Sequence, residues 1–317
     1  MTATLYSVLI LNYNSALFVR KAVESVLASA TTENYTVQIV DNGSSDSDRE
    51  MLREIRHPKV SVLELPINRG FAIGYNTAAR IAFERDAPAY FVIMNPDVEL
   101  IQPGTVECLI DQIRRANHRV IGAQPLIWDY RFVNKAQTRL GIRRVPDYWD
   151  LLICENVLLR LIFRNRFRKF TMADAQPDDL NLITFEVPSG AFFVIDAQVF
   201  MDVGGFDENT FLYGEEFILG KKLRDRNFSF LFVPTLKVRH YQGASTGFEY
   251  RGVSRRMYSY RLKSHLYYAR RYLGAGRVKT LGLRIASESN FAIRVVAWLT
   301  RAAVRALHRA VRKLAWL

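Results

Sequence analysis

Cysteine is scarce. The 317 residues hold two, Cys108 and Cys154, too few for a disulfide framework, and no Cys/His cluster has the spacing of a zinc site. A reduced, cytosolic compartment is the expectation. No uncharged apolar run reaches the roughly 18 residues that span a bilayer. The opening MTATLYSVLILNYN lacks a basic n-region and a small-residue cleavage site, so it reads as a first strand and not a signal peptide. The turn after that strand, NYNS, lacks the glycine-rich phosphate loop GxGxxG, which argues against a dinucleotide oxidoreductase or a nucleotidyltransferase on a similar sheet. With 49% hydrophobic and 24% charged residues the chain is neither disordered nor collagen-like. Its length suits one large or two small domains.

Acid is nearly absent from the end of the chain. Residues 251–317 carry 16 Lys/Arg against the single acid Glu288, so a near-neutral body precedes a strongly basic tail in a chain of net charge +13. Such a tail points to a partner of negative charge, phospholipid or nucleic acid. It has few stacking candidates in a sheet-like pattern, and nucleic acid is set aside.

What is present in the first 120 residues is an alternation of short apolar runs with helical patterns. Strands are predicted at Leu5–Leu11, Thr36–Val40, Val60–Leu65 and Tyr90–Met94, with a further strand-like run at Phe192–Ile195. Helices are predicted around Leu17–Ala30, Ser47–Ile55, Ala72–Glu84 and Thr105–Ala116. That order implies an α/β fold with a parallel sheet covered on both faces, whose ligands bind beyond the carboxyl ends of the strands. Those ends read Asn12-Tyr13-Asn14-Ser15, Asp41-Asn42-Gly43-Ser44, Asn68-Arg69-Gly70-Phe71 and Asn95-Pro96-Asp97. Each is also ordinary turn chemistry; four on one edge make a candidate site. The stretch Gly141–Lys169, apolar and then basic, fits a buried helix or a surface helix that meets lipid. Pro177-Asp178-Asp179 marks a loop.

The ordered series VLILNYN, VDNGSSD, NRGFAIGYN, NPDV, PSGAFFVIDAQVFMDVGGFDENTFLYGEE and VRHYQGAS resembles glycosyltransferase family 2, and within it the bacterial rhamnosyltransferase branch that builds surface polysaccharides. The resemblance implies a GT-A fold over residues 1–250, with a nucleotide-binding half (1–120) and an acceptor and catalytic half (121–250); the residues after it, 251–317, read from their charge as a basic helical region expected to associate with membranes. It further implies a nucleotide-sugar donor, a divalent metal (Mg²⁺ or Mn²⁺) and inversion at the anomeric carbon.

By that resemblance Asn12 and Asn14 line the nucleotide pocket, and Asp41 accepts from a pyrimidine N–H. Arg69, with Asn68 and Gly70, lies by the diphosphate; Asn76 and Asn95 join the donor side. Asp97 stands where the family carries its DxD and is the expected metal carboxylate, with His240 as second ligand, an imidazole that tilts the choice towards Mn²⁺. Glu216 takes the place of the catalytic base, with Glu215 beside it; the alternative is that both acids only complement a helix dipole. The family acid two residues on is Ile218 here. Ser189, Gly190 and Ala191 resemble the acceptor side, and Gly204-Gly205 is either part of it or a helix C-cap.

The implied activity is an inverting transfer of L-rhamnose from dTDP-rhamnose to a lipid-linked or polysaccharide acceptor in cell-surface glycan synthesis, with a UDP-hexose donor or a degenerate membrane-binding member as alternatives. A long helix is predicted from Phe291, with Arg294, Arg301, Arg305, His308 and Arg312 on one stripe and Val295, Trp298, Leu299, Ala302, Leu314 and Leu317 off it. It would hold the enzyme on the cytoplasmic face of the inner membrane, or pack on the body or on a second copy in a homodimer.

Overall fold

In a computed structural model of the protein, residues 5–129, 141–175, 183–241 and 254–314 are described. The motif residues Gln242–Ser245, the loop Pro177–Asp179, Leu317, and the side chains of Arg301, Ala302, Arg305, His308, Arg312 and Leu314 lie outside them. The strands are β1 (Tyr6–Asn12), β2 (Tyr35–Asn42), β3 (Val60–Leu65), β4 (Tyr90–Met94), β5 (Val98–Leu100), β6 (Val120–Asp129), β7 (Ile183–Phe185), β8 (Phe192–Asp196) and β9 (Ser229–His240). The first helices are α1 (Ala16–Ser29), α2 (Asp46–Arg53), α3 (Phe71–Asp86), α4 (Thr105–Arg115), α5 (Tyr148–Glu155) and α6 (Val157–Ile162). After them come α7 (Arg164–Phe170), α8 (Ala197–Asp202), α9 (Glu215–Arg224), α10 (Arg255–Leu273) and α11 (Arg277–Leu314). Two compact units result: Met1–Val145 with Arg168–Phe248, and Pro146–Phe167 with Glu249–Leu317.

The larger unit is a mixed sheet in the order β3-β2-β1-β4-β8-β6-β9-β5, with β7 paired to β9. Successive side chains of β1 enter opposite layers, as a period of two requires. Val8 and Ile10 pack with Val19 and Val23 of α1 and with Leu109 of α4; Leu9 packs with Tyr75 and Ala79 of α3, Phe200 and Leu219. Both faces are covered, which is why the strand has no polar alternation. Each such Val, Leu, Ile or Phe side chain contributes about 1.5–3 kcal/mol through burial.

The sheet order decides what meets at one edge. β1, β2, β3 and β4 are parallel, with Asn12 level with Asp41. β8 runs antiparallel to β4, Phe192 opposite Met94, so the chain entering it from Ser189–Ala191 arrives at the same edge. β9 is antiparallel to β5, and Val98 faces His240.

The smaller unit is helical and centres on a buried carboxylate. Glu155 Oε1 lies 2.7 Å from His265 Nδ1, and Glu155 Oε2 accepts from Ser287 Oγ at 2.5 Å. Asn156 Nδ2 donates to Ala286 O at 3.0 Å, tying the α5–α6 junction to α11. α11 runs for 38 residues and begins at Arg277, a full 14 residues ahead of the predicted Phe291. Within the Gly141–Lys169 stretch, Leu151 and Ile153 are buried, whereas Leu158, Leu161, Ile162 and Phe163 are exposed. Among the described residues no helix is long and apolar enough to cross a membrane.

Candidate active site

The turns after β1 and β2 are welded by side chains. Asn12 Nδ2 donates to Asp41 Oδ1 (2.9 Å), Ser44 Oγ (3.0 Å) and Asp48 Oδ2 (2.7 Å). Asp41 also accepts from Ser44 Oγ, from Ser44 N at 3.2 Å and from Arg49 Nε at 3.0 Å. Asn12 and Asp41 are fully buried, so they build a floor, and Asp41 would meet a nucleobase only by giving up one of these bonds. Asn14 is exposed with φ 52°, and its Oδ1 accepts from Ser45 N at 2.9 Å. It is the one of the three at the surface.

Asn42 latches the next loop. Its Nδ2 donates to Asn68 Oδ1 and Gly70 O, both at 3.1 Å, and its Oδ1 accepts from Arg69 N at 2.9 Å. Arg69 itself is exposed. Gly70, at φ 87°, opens α3 and lies so close to Phe211 that a Cβ would stand 2.5 Å from Phe211 O; no other residue type fits there. Phe71 N donates to Phe211 O at 2.8 Å, which draws the segment before α9 onto this edge.

Asn95 N donates to Ala191 O at 2.8 Å, and the Tyr75 hydroxyl, buried beneath, donates to Met94 O at 2.9 Å. Burial and then the charge of Asp97 hold that hydroxyl far above the ordinary tyrosine range. The Asp97 side chain is 1% exposed, and its Oδ1 lies 3.3 Å from His240 Nε2. Tyr241 N donates to Asp97 O at 2.8 Å, fixing the end of β9 to the NPD turn. Among the described residues no group of three or more His, Cys, Asp or Glu surrounds a metal position. One carboxylate and one imidazole in contact still suit a hard or borderline divalent ion whose other positions a phosphate would fill. The residues present fit such an ion.

The two acids at the start of α9 differ sharply. Glu215 is 3% exposed, its Oε2 has no hydrogen-bond partner among the described residues, and burial followed by the charge of Glu216 pushes its carboxyl well above the usual range. Glu216 is the accessible one: its Oε1 accepts from Gly190 N at 3.3 Å and lies 3.9 Å from an Arg143 guanidinium nitrogen. Ser189 N donates to Gln124 Oε1 at 2.7 Å, anchoring the Ser189–Ala191 turn to β6. A side chain on Gly190 would put Cβ 2.9 Å from Glu216 Oε1.

Asn76 takes a different part. Its Nδ2 donates to Phe206 O at 2.9 Å and Glu208 Oε1 at 3.0 Å, and its Oδ1 accepts from Phe206 N at 2.9 Å. It walls a cavity of about 280 Å³ with Arg80, Gly205 and Lys222. Gly204 and Gly205, at φ 71° and 57°, close α8 and turn the chain towards it. Arg143 was not foreseen from the sequence: it lies in no motif, and only its bridge to Val187 brings it to Glu216. Asn42 and Ser44 were visible as turn residues, but their cross-strand bonds were not, and nor was the bond from Asn12 to Asp48 in α2.

The profile of glycosyl transferase family 2 matches residues 7–185. The chain is 30% identical over 235 residues to the N-acetylglucosaminyl-diphospho-decaprenol L-rhamnosyltransferase of Mycobacterium tuberculosis, covering 70% of this chain and 71% of that protein. Among solved structures, the mannosyltransferase PcManGT from Pyrobaculum calidifontis, in complex with GDP-Man and Mn²⁺, superposes with TM-score 0.53 at 17% identity, over 100% of this chain and 82% of that one. GalNAc-T7 with UDP, GalNAc and Mn²⁺ gives TM-score 0.52 at 18% identity, over 75% of this chain but 44% of that one.

Proposed function

As the chain belongs to glycosyltransferase family 2, we propose that it moves L-rhamnose, with inversion, from dTDP-rhamnose to a lipid-linked acceptor at the cytoplasmic face of a membrane, in the assembly of a cell-surface glycan. The sugar and the acceptor rest on the rhamnosyltransferase relative, whose acceptor is a diphospho-lipid. The observation that carries the chemistry is the pairing at the start of α9, one buried acid and one accessible carboxylate facing the Ser189–Ala191 turn.

In this reading the nucleoside sits over the turns of Asn12–Asn14 and Asp41–Ser44, with Asn68, Arg69 and Gly70 on the diphosphate side and Asn95 beneath the sugar. Asp97 and His240 would hold Mn²⁺ or Mg²⁺, which supplies positive charge to the leaving diphosphate when bound. The acceptor hydroxyl enters past Ser189, Gly190 and Ala191, and Glu216 Oε1 takes its proton. Its oxygen bonds the anomeric carbon as the opposite bond to the diphosphate breaks; the nucleotide leaves and the proton passes from Glu216 to solvent. Gly190 N and Arg143 hold the carboxylate in place as positioning groups, and placement of a reacting group within an ångström is worth orders of magnitude in rate.

Nucleotide release from a panel of dTDP- and UDP-sugars, with Mn²⁺ and a GlcNAc-diphospho-lipid analogue, tests this. The expected result is that dTDP-rhamnose is consumed at least about tenfold faster than the others. Faster consumption of a UDP-hexose reassigns the donor, and no release from any sugar overturns the enzyme.

A further inference from the structure

We infer that the outer face of α11 is a docking surface for an anionic lipid bilayer, on which the helix lies without crossing; the inference deepens the reading of a lipid-linked acceptor and rests on it for its purpose. Over its first four turns the inner face of α11 is packed. Leu283, Ser287 and Asn290 are buried, Tyr148 Oη donates to Lys279 O at 3.0 Å, and the Phe291 ring lies 4.5 Å from that of Tyr258. At about 100° per residue the opposite side carries Val278, Leu281, Ile285, Val296 and Leu299 in one narrow stripe. All five are between 54% and 86% exposed. At about 1.5 Å per residue the stripe is roughly 30 Å long. Five exposed apolar side chains over this length, interrupted between Ile285 and Val296 by the exposed Ser289 and accompanied elsewhere on the helix by the exposed Ile293 and Trp298, need a partner.

Charge selects the partner. Arg277 and Arg284 are exposed and stand along one margin of the stripe, and residues 251–317 carry 16 basic residues against one acid. A second copy of this helix would bring the same excess positive charge to the contact. An anionic bilayer brings the opposite sign and an apolar layer below it, which is the arrangement an amphipathic interfacial helix requires. The predicted surface therefore shifts: the apolar stripe begins at Val278, ahead of the tail from Phe291 that the sequence singles out. An acceptor anchored in the bilayer would then be met by an enzyme already held at its surface.

Sedimentation of the full chain with vesicles of phosphatidylcholine and phosphatidylglycerol, and with phosphatidylcholine alone, tests the assignment. The wild-type chain should pellet with the anionic vesicles, less so as salt rises. Ile285→Asp with Val296→Asp should lower that binding at least about tenfold, with helicity and nucleotide release from a soluble donor unchanged. Val278→Asp, at the most exposed position, should weaken it in the same direction, and Arg277→Gln with Arg284→Gln should flatten its salt dependence. Unchanged vesicle binding in the Asp variants overturns the assignment, as does equal binding to neutral vesicles. A dimer that the Asp variants dissociate while vesicle binding persists would make the face an interface between copies. Donor turnover is read separately, so failure of the docking surface and failure of the transferase reading are distinct results.

Discussion

Glu215 and Glu216 are neighbours in sequence with opposite surroundings. The motif resemblance puts Glu216 in the place of the base, but only the fold shows why: burial of one acid and the Gly190 contact of the other separate them. Because the Glu215 carboxyl is raised, the folded protein holds a proton that the unfolded chain gives up near the ordinary glutamate value. Stability should therefore fall as pH rises above about 4.5 towards the raised value. Glu215→Gln should flatten that slope in denaturant titrations between pH 4.5 and 8; an unaltered slope places the buried proton elsewhere. Gly190→Ala leaves the backbone unstrained but pushes on the end of Glu216. Turnover should drop on the order of 10–100-fold while the midpoint of unfolding moves little, and equal losses of both would mean the turn itself collapses. For Asp97 and His240, excess chelator should abolish nucleotide release, and His240→Ala should raise the metal concentration needed for half-maximal rate; full activity in chelator contradicts the metal site.

At the scale of elements, β1 to β4 and the helices between them were legible because each strand is a continuous apolar run closed by turn residues. β6 and β9 were not. Gly122 and Pro125 interrupt one, Pro234 the other, and the ladder between them skips from Pro125–Val233 to Leu126–Lys237. Only the tertiary pairing makes them strands, and with β9 His240 reaches the edge. α9 gives a sharper test. Ile218, where the family resemblance leads one to expect an acid, is fully buried beside Leu219 and Leu223. Ile218→Asp should not raise activity and should cost several kcal/mol, at least about 3, in chemical denaturation, since an unpaired charge would enter the core. A stable, faster Ile218→Asp enzyme would show that this position faces the acceptor.

For the whole molecule, the division into two units was half legible: the basic tail stood out by charge, but nothing marked Pro146–Phe167 as its companion. The link is chemical. Burial alone would raise the Glu155 carboxyl, yet the charge and hydrogen bond of His265, with Arg261 and Ser287, bring it down to about 2. A carboxylate held that low stabilises its unit fully above about 4.5 and progressively less as pH falls towards 2. Glu155→Gln should lose on the order of 1–3 kcal/mol at neutral pH by weakening the buried contacts to His265 and Ser287 and the ion pair with the half-buried Arg261, and its unfolding should no longer steepen in acid; an acid limb that persists in the variant assigns it to other carboxylates. The central claim concerns the larger unit, where Glu216 takes the acceptor proton. Steady-state turnover of Glu216→Gln and Glu215→Gln, at saturating donor and acceptor and beside the wild-type chain, tests it most directly. Glu216→Gln should lose about 10²–10⁴ in turnover with donor affinity unchanged, and Glu215→Gln should stay within about tenfold of wild type; near-normal turnover in Glu216→Gln would contradict the account.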